Sequence, residues 1–215
     1  MTYLEMVNKV LKRLRERTVG TVNESPYSTL IGVLVNDAKD TVENAWSWSG
    51  LRTTLSATTQ EGVFNYVLTG SKNKITVLDV LNDTDDVFLK YLPAHEMTRY
   101  YLVGTPQTGS PTDYSFNGID ANGDTQVDIY PKPDGAYDLR FNCILRTPEL
   151  ESDSTTFNIP TLPIELLAYA LAVEERGEDG GMNPVSAYAR AKNALDDAIA
   201  LDAIKHPEET LFYEV

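Results

Sequence analysis

The segment Asp120-Ala121-Asn122-Gly123-Asp124 is the part of the chain that most invites a metal reading. A calcium loop of the EF-hand type needs D-x-[DN]-x-[DN]-G and a bidentate glutamate at loop position 12. Here glycine arrives at the fourth position and Pro131 stands where the glutamate belongs, so the segment reads as a turn between two strands. The two histidines, His95 and His206, sit at predicted helix ends without the partners that a zinc site or a Ser-His-Asp arrangement requires. Cys143 is the single cysteine. It can form no internal disulfide and has no companions for a metal cluster, and it falls in an alternating strand pattern, which reads as a buried free thiol in a chain made under reducing conditions. Glu174-Glu175 and Asp196-Asp197 lie on predicted helix faces and read as solvated charge rather than an acid–base pair. Neither G-x-x-x-x-G-K-[ST] nor G-x-G-x-x-G occurs. These residues call for no catalytic set, no metal and no cofactor.

The elements that would carry these residues fall into three blocks. Residues 2–17 read as an amphipathic helix: Thr2 and Glu5 make the capping-box pattern T-x-x-E, and Leu4, Val7, Leu11 and Leu14 recur on one stripe. Ser25 and Pro26 open a second helix with Tyr27, Ile31, Leu34, Ala38, Val42 and Ala45 inward, ending around Trp46–Gly50. The period then changes. Strands are predicted over 51–59, 63–68, 74–81 and 87–91, a short helix from Pro93 to near Val103, and three more strands over 114–119, 125–130 and 136–146. Turn signals separate them, the clearest being Pro133-Asp134-Gly135, in which proline fixes φ, aspartate bonds the local backbone and glycine accepts φ > 0. A Ser/Thr/Asp/Pro-rich linker spans 147–160. A third amphipathic helix opens at Leu162-Pro163, with Ile164, Leu167, Ala168 and Leu171 inward, and ends at Gly177, Gly180 and Gly181. A fourth starts at Asn183-Pro184, with Tyr188, Ala191, Leu195, Ala198 and Ile199 inward, and is broken by Pro207.

The fold class expected from this order is α+β. The N-terminal helical hairpin (1–50) and the linker with the C-terminal hairpin (148–207) complete one antiparallel four-helix unit. A β-rich insertion domain (51–147) interrupts it, and residues 208–215 form an extended C-terminal tail.

Charge and hydropathy exclude two partners. The longest apolar run, Leu30 to Val35, is six residues, against the roughly 20 needed to cross a bilayer. Lys9, Lys12, Arg13, Arg15 and Arg17 interrupt any signal-peptide pattern at the N-terminus. A formal charge of −14 argues against general affinity for nucleic acid. The charge is uneven: residues 1–20 hold five basic and two acidic side chains, residues 149–215 four basic and fourteen acidic. The first helix is therefore suited to pair with an acidic surface, the chain's own C-terminal part included. Trp46 and Trp48, alternating at the end of the second helix, read as core packing or as anchors of an interface or domain junction. The tail beyond Pro207 reaches roughly 25 Å if extended. Leu211, Phe212, Tyr213 and Val215 then suit a partner's sheet edge or groove.

Three stretches carry a family resemblance. T-Y-L-E-M-V-N-K-V-L-K-R-L-R-E with Y-S-T-L-I-G-V-L-V-N-D-A-K-D-T-V-E-N-A-W-S-W-S-G-L-R, then I-Y-P-K-P-D-G-A-Y-D-L-R-F, then L-P-I-E-L-L-A-Y-A-L-A through Y-A-R-A-K-N-A-L, resemble head-to-tail adaptor (connector) proteins of tailed bacteriophages. The resemblance rests on pattern and order along nearly the whole chain, with no short diagnostic motif. It implies a structural role: a twelve-fold ring beneath the portal protein that extends the DNA channel and docks a tail or nozzle protein. It also implies a helical core, a β domain projecting outward, a C-terminal tail reaching onto the portal, and assembly in the host cytoplasm into the neck of the virion. DNA would pass the acidic wall without specific binding. Two other readings stay open on the residues alone: another virion component, such as a tail-completion or tail-tube protein, and a carboxylate-dependent cell-wall hydrolase.

Overall fold

In a computed structural model, residues 1–70, 75–103, 105–177 and 184–205 are described. The chain is α+β, with five α-helices and two four-stranded sheets among these residues. It divides into two compact units, one of residues 1–51 with 148–215 and one of residues 52–147.

The helical unit begins with α1 (Tyr3–Arg13). Its start is fixed as its sequence demands: the Glu5 N–H donates to Thr2 Oγ1 at 3.2 Å and the Thr2 N–H to Glu5 Oε2 at 2.9 Å. Its end comes four residues earlier than the apolar pattern suggests. Arg15 takes φ +60°, and the N–H groups of Arg15 and Glu16 bond back to Lys12 and Leu11 carbonyls at 3.1 and 2.9 Å. This is a Schellman motif with arginine where glycine is usual. The buried stripe is Tyr3, Met6, Val7, Val10 and Leu11, with Leu4 and Leu14 only half-buried.

Helix α2 (Pro26–Ala45) is capped by Ser25, whose hydroxyl accepts the Ser28 N–H at 3.1 Å while Ser28 Oγ accepts the Ser25 N–H at 3.0 Å. Ile31, Val35, Ala38 and Val42 are buried, whereas Ala45, expected inward, is exposed. Gly32 permits close approach of α1: a Cβ there would stand 2.5 Å from the Tyr3 hydroxyl. After the β unit the chain returns through 148–160. This segment, a linker by composition, is an ordered strap. Asn36 clamps Leu150, accepting its N–H at 2.9 Å and donating to its carbonyl at 3.3 Å. The N–H groups of Tyr3 and Leu4 donate to Thr155 and Asp153 carbonyls at 2.8 and 3.2 Å. Helix α4 (Thr161–Arg176; α3 lies in the other unit) closes on Gly177 at φ +60°, and α5 (Pro184–Ala203) follows. α1 packs on α2 and α4, α2 also on α4, and α4 on α5.

The second unit holds β1 (Arg52–Thr58), β2 (Asn65–Leu68), β3 (Ile75–Asn82), β4 (Val87–Phe88), β5 (Lys90–Tyr91), α3 (Ala94–Leu102), β6 (Asp113–Ile119), β7 (Thr125–Tyr130) and β8 (Asp138–Leu145). One sheet has the order β1-β8-β3-β4 and is antiparallel throughout. The other has the order β2-β7-β6-β5, with β5–β6 the parallel pair. The single strand expected over 87–91 is two strands in different sheets. The buried Leu89 sits at the crossover, its N–H still bonded to Val80 while Lys90 bonds to Thr112. One apolar cluster draws on both sheets: Leu68, Tyr114, Val127 and Ile129 from one, Val80, Leu139 and Phe141 from the other. This gives the two-layer packing of a β-sandwich.

Candidate functional site

The Asp120–Asp124 segment is a turn. Asp120 Oδ1 accepts the N–H groups of Asn122 and Asp124, both at 2.8 Å, and Gly123 supplies φ +83°. Its carboxylate is thus spent on the backbone, the geometry of an Asx turn. His95 is the second residue of α3 and exposed, and His206 lies outside the described residues. Cys143 is buried, its thiol directed at the Thr53 carbonyl at 3.4 Å. Burial pushes its pKa up, against a smaller lowering by the Leu55 backbone N–H. A thiol held in this state is a poor nucleophile. Among the described residues, no group of three His, Cys, Asp or Glu side chains could hold a metal ion. No helix among them is long and apolar enough to cross a membrane.

The helical unit concentrates its buried charge where helices meet. Glu165 of α4, 8% exposed, accepts from Arg13 Nε at 2.7 Å and from Lys9 Nζ at 3.3 Å, both on α1. Arg176 at the other end of α4 pairs with Glu16, donates to the Leu14 carbonyl at 3.4 Å and lies over the Tyr27 ring at 5.0 Å. The basic first helix therefore does engage an acidic side chain of the C-terminal part, Glu165, while the Arg176–Glu16 pair runs the other way. Lys39, 1% exposed, reaches the Pro148 carbonyl at 2.6 Å and the Asp40 carboxylate at 3.1 Å. Asp202, near the end of α5, receives the Ser49 N–H and hydroxyl at 2.9 and 2.6 Å. Burial alone would raise the Asp202 pKa, but the two bonds from Ser49 and the Lys205 ammonium outweigh it and hold the carboxyl below its usual range. These charges join helices and strap to one another. Arg13 also borders a small hollow beside Tyr169 and Arg190, but these contacts run between elements, and the role they support is cohesion.

One concave feature of the helical unit is apolar. A groove of about 450 Å³ runs along α5, floored by Val42 of α2 and by Pro163 and Leu167 of α4, with Tyr188, Lys192 and Leu195 on the α5 side. The α5 wall leaves room because small side chains stand there: Ala189 and Ala191 line the groove, Ala191 5% exposed. Tyr188, Leu195, Ala198 and Ile199, expected to be inward, are only half-buried, and the first two line the groove. The Tyr188 hydroxyl donates to Glu174; burial first, then this bond, pushes its pKa to about 12. With walls that are mainly apolar and Lys192 at the edge, the groove suits a side chain of another polypeptide.

The two tryptophans part company. Trp48 is buried, its Nε1 donating to the Val42 carbonyl at 2.7 Å, while Trp46, the C-cap of α2, stays 36% exposed. Leu211, Phe212, Tyr213 and Val215 lie outside the described residues. Sequence reasoning missed the burial of Lys39, Glu43, Glu165 and Asp202. For Lys39 a signal existed, since its position is flanked on the α2 stripe by Val35 and Val42.

No curated protein matches the chain. The family model for the SU10 adaptor protein matches residues 1–209, ending before Leu211. The cohesive charge network, the apolar groove and this match over nearly the whole length agree on a structural component, and the chain belongs to the SU10 adaptor protein family, structural head-to-tail adaptors of bacteriophage virions.

Proposed function

We propose that the chain forms a homo-oligomeric ring of twelve copies beneath the portal protein, extends the DNA channel there, and docks a tail or nozzle protein at the neck of the virion. The family match over residues 1–209 carries this reading. In it, α1, α2, α4 and α5 act as one antiparallel four-helix wall segment, and residues 52–147 are an inserted β domain. The buried Glu165 and Asp202 contacts support it by tying the two ends of the chain into one body. The net charge of −14 per copy disfavours phosphate binding, so DNA slides past without specific contact. Assembly takes place in the host cytoplasm.

Top views of the chain bound to portal rings test the symmetry. Twelve-fold averages are expected, and six-fold rings would replace this reading with a tail-completion role. The tail residues Leu211, Phe212, Tyr213 and Val215 are assigned to the portal surface and Trp46 to an interface. Deleting 208–215 should abolish portal binding, and unchanged binding would remove the tail from the contact.

A further inference from the structure

Helix α5 carries two different apolar surfaces on opposite flanks. The groove lies on one flank, beside Val185, which is 71% exposed. At 3.6 residues per turn, Leu201 stands about 160° around the helix from Val185. The buried stripe of Ala187 and Ala191 lies on the other arc between them, about 40° and 80° beyond Leu201. The packing agrees with this wheel: Arg190, on the Leu201 flank, lines a separate hollow with Arg13 of α1 and Tyr169 of α4. Leu201 is 68% exposed and Ile204, just past the helix, 72%. Single exposed apolar residues are ordinary. An exposed apolar pair on one flank and an apolar groove on the other are complementary in character on one chain. Charge is complementary as well, because Asp197 precedes Leu201 by one turn and the groove is edged by Lys192.

We infer that the groove receives Leu201 and Ile204 of a second copy of this chain, with Asp197 of that copy facing Lys192. Because the two surfaces differ, the contact is head-to-tail. It leaves a groove open at one end of a pair and a ridge at the other, so it propagates and closes only as a ring. The inference rests on the ring reading above and specifies which surfaces of the ring touch.

Thiol cross-linking in assembled particles tests it. Ala189 lines the groove and Ile204 belongs to the ridge. Within one chain they are separated by about 20 Å along α5, too far for a short bis-maleimide. Cys143 is buried and does not compete. Particles carrying A189C with I204C should give a ladder of chain multimers, and either single variant none. Adding Leu201→Asp should abolish the ladder without changing the circular-dichroism melting curve, since Leu201 has little buried surface to lose. A double variant that stays monomeric in particles containing it overturns the inference while leaving the adaptor reading intact. So does dimer formation by A189C alone, which marks a symmetric contact. Protection of the A189C thiol that is lost on deleting 208–215 but survives Leu201→Asp assigns the groove to the C-terminal tail and also overturns it. Absence of the chain from particles would remove the adaptor reading itself.

Discussion

Asp202 near the C-terminal end of α5 holds both the N–H and the hydroxyl of Ser49, at 2.9 and 2.6 Å, across 153 positions of sequence. This pins the end of the last helix to the segment where the chain leaves the helical unit. Lys205 completes the site at 3.0 Å. Asp202→Asn cannot accept both bonds as a charged group and should cost about 1–3 kcal/mol in urea unfolding at neutral pH. Because the folded pKa lies below the unfolded value, the stabilisation is present above about pH 4 and is lost as pH falls through the folded pKa. The gap between wild type and Asp202→Asn should therefore be full at neutral pH and close in acid. A gap that widens in acid contradicts the assignment.

Glu165 is the buried member of a three-charge contact whose cations are 41% and 51% exposed. Solvent screening reduces the worth of each pair, so Glu165→Gln should destabilise by about 1–2 kcal/mol. Single substitutions of Lys9 should cost less than those of Arg13, whose bond is shorter. Denaturant midpoints of the three variants check this order.

Arg15 occupies the left-handed region at φ +60° to close α1. A side chain there costs about 1 kcal/mol that glycine avoids, and its own carbons pack little, since the residue is exposed. Arg15→Gly should raise the melting temperature slightly, or leave it unchanged once the added freedom of the unfolded chain is counted. Arg15→Val should lower it.

Cys143 is 1% exposed within β8, and its thiol pKa is raised by burial. A thiol reagent should leave the native protein unmodified and label one site per chain in denaturant. Rapid labelling of the folded protein would contradict the buried placement.

The sequence made the helix starts legible because capping is local chemistry. Thr2 with Glu5, and Ser25 ahead of Pro26, satisfy backbone N–H groups within one turn. Most strands were legible through alternation and the intervening turn residues. The split at Leu89 was not, since nothing between Phe88 and Lys90 breaks a strand. Only the competing partners, β3 in one sheet and β6 in the other, send the two halves apart. Buried charge was illegible for a related reason. A carboxylate reads as solvated by its charge: Asp202 falls in line with Leu195, Ala198 and Ile199, and Glu165 lies beside the α4 stripe, but the groups that let them be buried are about 150 residues away. The groove was hidden because small residues on the α5 stripe indicate close packing without saying which neighbour fills the space beside them.

The ring reading meets its most direct test in the native mass of portal rings titrated with the purified chain. Saturation at twelve added copies per ring, in a step that the isolated chain does not make at the same concentration, is the expected result. A chain that leaves the mass of the portal rings unchanged at every ratio, or that saturates at six copies, contradicts it.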